Sequence, residues 1–288
     1  MKAIFVSVAG VALLAMPCHA ITINTTFRSS GQSLSGFGTA GVAPANATGG
    51  GSLQTIMNTA ADFWEAIFTT NFTLSIQYGW YPRTSSVATH NLVSQNFFSG
   101  RETSGSIAFD NDQSTVWFVD STPTSHSEFS TYTEYTANLG GGTINVGKEY
   151  TGGSGSAANH DLLTTAIHEI GHALGLSGSN INFILESGDD EVDVVSPRPF
   201  PGTKVPLDDS HVNLDHALMR SSRPSGVRRL PSTADILANA EIGNWTVASG
   251  AAFSMMNFAA IPEPASGTML ASGILGLSLL RRRQRTAI

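Results

Sequence analysis

The chain has little of three things that shape many proteins: cysteine, charge and long apolar runs. Its one cysteine, Cys18, lies within the first 20 residues, so the remainder has no cysteine from which to build a disulfide framework. Charged residues make up only 13% of the 288 positions, and Gly, Ser, Thr and Asn fill many of the gaps. This composition is typical of an exported, loop-rich protein that contains β-strands.

The N-terminal apolar run has the pattern of a targeting signal. Lys2 precedes an apolar stretch over residues 4–16, and small residues end the segment at Ala20. Such a pattern predicts a secretory signal peptide over residues 1–20 that a signal peptidase removes after Ala20.

The other apolar run lies at the C-terminus, over residues 265–280. The motif Pro262-Glu263-Pro264 precedes it and an arginine cluster at 281–285 follows it. The run is shorter than the ~20 residues that cross a bilayer comfortably, and the arginines would stay on the cytoplasmic side, which indicates transient membrane anchoring.

This order of motif, apolar run and arginines over residues 261–288 resembles the PEP-CTERM sorting signal of Gram-negative bacterial surface proteins. The resemblance implies cleavage near the motif by an exosortase-type enzyme, and a final location in the cell envelope, on the cell surface or outside the cell. A plain C-terminal anchor is the alternative interpretation.

The body between the two ends is acidic. Residues 21–264 carry 10 basic against 22 acidic side chains, a net charge of −12. This balance argues against nucleic acid as a partner.

The most informative string is HEIGH, at residues 168–172. On a helix, residues four apart lie on one face, so His168 and His172 can bind one metal ion. Glu169 is then placed to accept a proton from water, which is the arrangement of a catalytic zinc site with a general base.

The surroundings of this string favour a metal site over two structural histidines. Apolar residues from 162 to 174 recur with helical spacing and leave the histidines on the opposite side. Asn159 or Asp161 can cap the start of this helix, and Gly175 can end it.

A catalytic zinc generally has three protein ligands and one open position. The simplest continuation, HExxHxxGxxH, would place a third histidine where this chain has Gly178. The third ligand must therefore come from further along the chain. The candidates are His211, His216 and the carboxylates of Glu186, Glu191, Asp209 and Asp215.

Three blocks of the chain, in this order, resemble leishmanolysin-type metzincins: HEIGHALGLSG at residues 168–178, Ser210-His211 and Leu218-Met219. The resemblance implies that His211 is the third zinc ligand and that Met219 is the Met-turn residue beneath the metal. Departures are a short insertion before His211, the absence of the family's cysteines, and the absence of a tyrosine after Met219. In some metzincins a tyrosine there approaches the tetrahedral intermediate.

The resemblance also implies an α+β fold. An N-terminal mixed, twisted sheet with a backing helix and the active-site helix would precede a smaller, irregular C-terminal subdomain that contains the Met-turn and a closing helix. The local patterns predict helices over 52–69 and from Ser232, and strands over 72–81, 105–109, 115–119 and 143–146. Residues 21–50 are expected to form a flexible leader or short propeptide, with an initial strand as the alternative, and residues 51–260 the catalytic domain.

These features together predict a secreted or surface zinc endopeptidase that acts on proteins or peptides. The alternative is a surface or matrix protein that binds zinc without catalysis. The acidic residues Asp189, Asp190, Glu191 and Asp193 could bind Ca²⁺, although a solvated acidic loop is the simpler interpretation. No motif surrounds His90, His126 or His160, and the sequence gives them no role.

Overall fold

The computed structural model describes residues 21–156 and 159–248. The predicted signal peptide, Cys18, the motif Pro262-Glu263-Pro264 and the rest of the predicted sorting signal lie outside the described residues. Within the described ranges, no helix is both long enough and apolar enough to cross a membrane.

The described chain alternates short strands with four α-helices. The helices are α1 (Leu53–Ile67), α2 (Leu162–Leu174), α3 (Ile181–Glu186) and α4 (Thr233–Ile242), with 3-10 turns at Ser154–Ser156 and Ser187–Asp189. The strands are β1 (Ile21–Phe27), β2 (Ser33–Leu34), β3 (Gly38–Thr39), β4 (Phe72–Trp80), β5 (Ala88–Gln95), β6 (Glu102–Phe109), β7 (Trp117–Phe118), β8 (Thr131–Asn138), β9 (Thr143–Thr151), β10 (His160–Asp161), β11 (Glu191–Asp193), β12 (Lys204–Asp208), β13 (His211–Val212) and β14 (Arg228–Leu230).

The main sheet has four strands in the order β1-β4-β6-β5. Strands β1, β4 and β6 run parallel, and β5 is antiparallel to β6 at one edge. Helices α1 and α2 pack together, and the Trp64 indole donates a 2.9 Å hydrogen bond to the carbonyl oxygen of Ile167. The predicted α+β class, with a mixed sheet and helices packed together, is therefore confirmed.

The first residues of the body form a sheet strand rather than a flexible leader. Strand β1 pairs with β4 along its whole length, and Ile21 and Ile23 are buried in the core. The expected flexible leader is wrong for this stretch, because its two isoleucines have a partner strand some 50 residues further along the chain. The alternative, an initial strand, describes it correctly.

The second half of the fold is built of smaller pieces. Strands β14, β9 and β8 form an antiparallel sheet, and β11, β12 and β13 form another. Helix α4 begins at the predicted cap, Ser232, whose hydroxyl accepts a hydrogen bond from the backbone of Asp235 in a reciprocal capping box. The closing helix predicted from Ser232 is confirmed.

Helix α2 is buried on nearly every side, not on one face alone. Its apolar side packs on α1, while β5 and β14 cover other sides. His168 and Glu169 are consequently buried, and only His172 is partly exposed. The prediction of one apolar stripe opposite the histidines underestimated this burial, because the covering strands are distant in sequence.

Candidate metal centre

The start of α2 is fixed by a buried ion network. Asp161 caps the helix by accepting a hydrogen bond from the Thr164 backbone, so Asp161 rather than Asn159 is the cap. The Arg228 guanidinium, which is fully buried, lies 2.9 Å from Asp161 and 2.7 Å from Asp120. Both carboxylates are thus paired with a fully buried cation, which holds the helix that carries the HExxH string in one position.

The first two histidines are oriented by bonds to backbone carbonyls. His168 donates from Nδ1 to the carbonyl oxygen of Leu218 at 2.8 Å, and His172 donates from Nδ1 to that of Leu176. Gly175 ends the helix with a positive φ of 154°, and its position lets the chain turn so that the Leu176 carbonyl reaches His172. With Nδ1 so engaged, the Nε2 atoms face each other at 3.0 Å.

His211 completes a cluster with these two rings. It lies in β13, and one ring nitrogen from each of His168, His172 and His211 is within 4.8 Å of the others. Among the described residues, this is the only group of three or more histidine, cysteine or acidic side chains with such spacing.

The three imidazoles fit a bound cation. Burial lowers the pKa of His168 well below its usual value, that of His172 to about 3 and that of His211 to about 4, so all three are neutral near pH 7. Two Nε2 lone pairs facing each other at 3.0 Å repel unless a cation lies between them. Nitrogens bound to one tetrahedral zinc at 2.0–2.1 Å would lie about 3.3 Å apart, close to this spacing.

The other candidates for a third ligand lie elsewhere. His216 stacks on Tyr135 and lies 3.1 Å from Glu149. Glu186 accepts from the Asp193 backbone, Glu191 pairs with Lys204, and Asp215 pairs with Arg220. Neither these side chains nor that of Asp209 belongs to the histidine cluster.

The acidic loop is neutralised in part by one lysine. Lys204 Nζ lies 2.8 Å from Glu191 and 3.1 Å from Asp193, and all three side chains are well exposed. This is the arrangement of a solvated surface loop.

Glu169 is a buried carboxylate beside the cluster. It accepts a hydrogen bond from the backbone N–H of His90 in β5, and its Oε1 lies 3.7 Å from Nη2 of Arg223. Burial raises the pKa of Glu169, and the positive charge of Arg223 is the largest opposing effect. A carboxylate with a raised pKa is well suited to exchange protons near neutral pH.

Met219 lies directly against the HExxH helix. A side chain carbon at Gly171 would collide with Sδ of Met219, so glycine at this position permits the close approach. The backbone N–H groups of Leu218 and Met219 donate to Asp235 in α4, at 3.1 and 2.9 Å. The fully buried Met219 is thereby fixed beneath the histidine-bearing turn.

A cleft of about 320 Å³ opens at the histidine cluster. Its lining includes the histidine cluster and Glu169, together with His90 and Arg223, which the sequence analysis did not select. A larger cavity of about 410 Å³ lies around residues 41–54 and has no titratable side chain in its lining. The chemistry therefore belongs to the smaller cleft.

His90 could not have been selected from its neighbours in sequence. Its Nε2 shares a 2.9 Å hydrogen bond with Oε1 of Glu102 in the adjacent strand, and its ring stacks near that of His172. Burial lowers the pKa of His90 to about 4 and raises that of Glu102 to about 10, so the pair is neutral. The one sequence signal was a glutamate, Glu102, at the start of a strand whose residues 105–109 are all buried.

Comparison with known proteins agrees with this geometry. Residues 55–185, somewhat less than half of the chain, match the family model described as Matrixin. No curated protein and no solved structure matches the chain. The family match supports a metzincin-type metalloprotease, a class of hydrolase that uses zinc and acts on proteins or peptides. The matched region contains His168, Glu169 and His172 and ends before His211.

Proposed function

We propose that the protein is an exported, leishmanolysin-like zinc endopeptidase. The observation that carries this proposal is the convergence of three neutral imidazoles beside a buried carboxylate with a raised pKa. His168, His172 and His211 would hold one zinc ion, which when bound polarises the scissile carbonyl and makes water more acidic.

Glu169 then acts as the general base. Its carboxylate takes a proton from the attacking water and passes it to the amine that leaves when the peptide bond breaks. Burial supports both halves of this transfer, because the raised pKa of Glu169 keeps the protonated form accessible.

The substrate would bind in extended form along β5. This strand is an edge of the main sheet, with β6 as its only partner among the described strands. Its first residues, Ala88 to His90, line the cleft beside Glu169. An edge strand offers free backbone groups to a peptide, so main-chain pairing would align the scissile bond with the site.

Met219 would serve as the Met-turn residue of this site. Its side chain packs under Gly171, between the two histidines of the helix, without taking part in the cluster. It would support the ligands rather than bind the ion.

The terminal segments would determine where the enzyme acts. Removal of residues 1–20 by a signal peptidase would export the chain, and residues 261–288 would anchor it transiently until an exosortase-type enzyme cuts near Pro262-Glu263-Pro264. The final location would be the surface or surroundings of a Gram-negative-type cell.

The decisive variant is Glu169→Gln, which keeps the shape of the side chain and removes the base. It should retain one zinc per chain and lose casein cleavage almost completely, while Glu191→Gln, in the solvated loop, should keep both. Equal rates for Glu169→Gln and the parent would refute the mechanism. One zinc per chain with no cleavage by the parent would favour the alternative, a zinc-binding surface protein.

A further inference from the structure

The cleft contains a cation that the mechanism above does not use. Arg223 follows Met219 by four residues, and its side chain is only 11% exposed. Its closest ionic contact, from Nη2 to Glu169, is a long 3.7 Å. Among the described residues, Nε and Nη1 have no hydrogen-bond partner although both are buried.

The neighbouring arginines show how this chain holds a structural guanidinium. Arg228 lies within 2.9 Å of two carboxylates, and Arg229 lies 2.9 Å from Glu149 and donates to three backbone carbonyls. A buried donor left without a partner costs about 1–3 kcal/mol. Arg223 thus differs from both arginines in keeping donors free inside a cleft.

The positive charge of Arg223 is unfavourable for a second cation bound nearby. Arg223 lines the same cleft as His168, His172 and His211, the three residues proposed to hold a cation. A cation that disfavours positive charge at the cluster would weaken zinc binding. Its presence is favourable when negative charge develops in the cleft.

We propose that Arg223 is a catalytic residue whose guanidinium stabilises the oxyanion of the tetrahedral intermediate, an inference that rests on the proposed peptidase function. Water oxygen bonds to the carbonyl carbon, its proton passes to Glu169, and the C=O π pair moves onto the carbonyl oxygen. Arg223 donates N–H bonds to that oxyanion. The intermediate collapses as C=O re-forms, the C–N bond breaks and the amine takes the proton from Glu169.

This assignment accounts for a residue that the chain lacks. Arg220 and Ser221 follow Met219, where some metzincins have a tyrosine that approaches the intermediate. Arg223, from the same segment, brings a donor into the cleft. Removing one preorganised oxyanion donor typically lowers kcat by about 10²–10³-fold.

The test compares Arg223→Gln and Arg223→Lys with the matched control Arg220→Gln, which removes an arginine outside the cleft. For each zinc-loaded protein, one measures zinc content, kcat, KM, the pH profile, and the affinity for a phosphinic peptide and for the corresponding uncleaved peptide. The phosphinic group is a stable, tetrahedral anion that mimics the intermediate. Substrate affinity is measured in the Glu169→Gln background.

We expect Arg223→Gln to keep its zinc and KM and to lose about 10²–10³-fold in kcat. Affinity for the phosphinic peptide should fall in parallel, with substrate affinity unchanged. The kcat and the phosphinic peptide affinity of Arg223→Lys should lie between those of Arg223→Gln and the parent, because lysine keeps the positive charge but not the planar guanidinium fork. Arg220→Gln should match the parent.

Three results would overturn the proposal. Unchanged phosphinic affinity with only a shifted acid limb of the pH profile would make Arg223 a positioning residue for Glu169. Loss of zinc and of folding in both Arg223 variants would make it structural. Unchanged kcat in Arg223→Gln would give it no role. If the parent cleaves nothing, the proposed function fails separately, and the phosphinic affinities still decide whether Arg223 contacts a tetrahedral anion.

Discussion

His168 Nδ1 lies 2.8 Å from the carbonyl oxygen of Leu218, the residue directly before Met219. This bond joins the HExxH helix to a segment 50 residues further along the chain. Asp235 in α4 accepts from the backbone of both Leu218 and Met219, so the closing helix determines where that carbonyl lies. The orientation of the first histidine therefore depends on a carboxylate that does not line the cleft.

Asp235→Ala should lower both stability and zinc affinity. The change leaves the N–H groups of Leu218 and Met219 buried without an acceptor and removes the partner of Ser232, at a cost of about 2–4 kcal/mol. Urea unfolding and zinc titration measure the two effects. Asp215→Ala, which removes an exposed carboxylate of the same segment, is the control and should change little. An Asp235→Ala protein as stable as the parent would contradict this account.

The third ligand is tested by two histidine substitutions. His211→Ala should weaken zinc binding by more than about 100-fold, because it removes one of the three clustered imidazoles proposed to hold the ion. His216→Ala should retain most zinc and activity, because that ring stacks on Tyr135 outside the cleft. Zinc content after dialysis decides between them. Full zinc in His211→Ala would end the leishmanolysin-like assignment even if the protein were still a zinc protease.

Gly171→Ala should destabilise the protein although alanine favours helices. Alanine is better than glycine by about 1 kcal/mol inside an exposed helix, but here the new Cβ would overlap Sδ of Met219. Displacing that side chain should cost about 1–3 kcal/mol and reduce zinc affinity. Gly178→Ala meets no atom within 4 Å and should be neutral. A higher melting temperature for Gly171→Ala would show that Met219 does not need this space.

The sequence predicted the site where chemistry depends on neighbours along one helix. His168, Glu169 and His172 lie four residues apart or less, so helical geometry alone brings them together, and Ser52, Asp161 and Ser232 act as local caps. His211 required a resemblance to a family, because local spacing did not distinguish it from His216. Its approach to the helix depends on contacts between β12 and β13 that no local pattern encodes.

Edge strands and long-range contacts account for most of what the sequence did not predict. Strands β5 and β8 were missed because they are largely polar, as suits strands with a solvated side, and so lack clear apolar alternation. The stretch 115–119 shortens to β7, while 143–146 extends to β9. Arg223 has no motif around it and is brought to Glu169 only by the tertiary fold.

The pairing of β1 with β4 predicts that residues 21–27 stay with the active enzyme. Ile21 is fully buried and Ile23 nearly so, and removing the strand would expose their core contacts and the backbone groups of β4. Mass spectrometry of active protein should therefore find a chain that begins at or before residue 21. Ile23→Ala should lower the free energy of unfolding by about 2–4 kcal/mol, whereas Val42→Ala, at an exposed position, should not. An active form that begins beyond residue 28 would contradict this prediction and would support the expectation that the first residues of the body form a propeptide.

The neutral pair of Glu102 and His90 predicts a pH-dependent stability. Burial raises the pKa of Glu102 to about 10 in the folded protein, above the ~4.3 of an unfolded chain, so its contribution is complete below pH ~4.3 and is lost as pH rises towards 10. Burial lowers the pKa of His90 to about 4, so its contribution is complete above pH ~6.5 and is lost as pH falls towards 4.

Glu102→Gln separates these two effects. The amide keeps a hydrogen bond to His90 but has no proton to lose, so the variant should gain stability relative to the parent as pH rises from 5 to 9. Melting temperatures of both proteins across this range measure the difference, with Glu191→Gln as the control for loss of an exposed carboxylate. The loss of stability as pH falls towards 4, which comes from protonation of His90, should be the same in parent and variant. A stability difference that is flat from pH 5 to 9 would mean that Glu102 is ionised in the folded protein, and that β5 is held beside Glu169 by an ion pair instead of a neutral hydrogen bond.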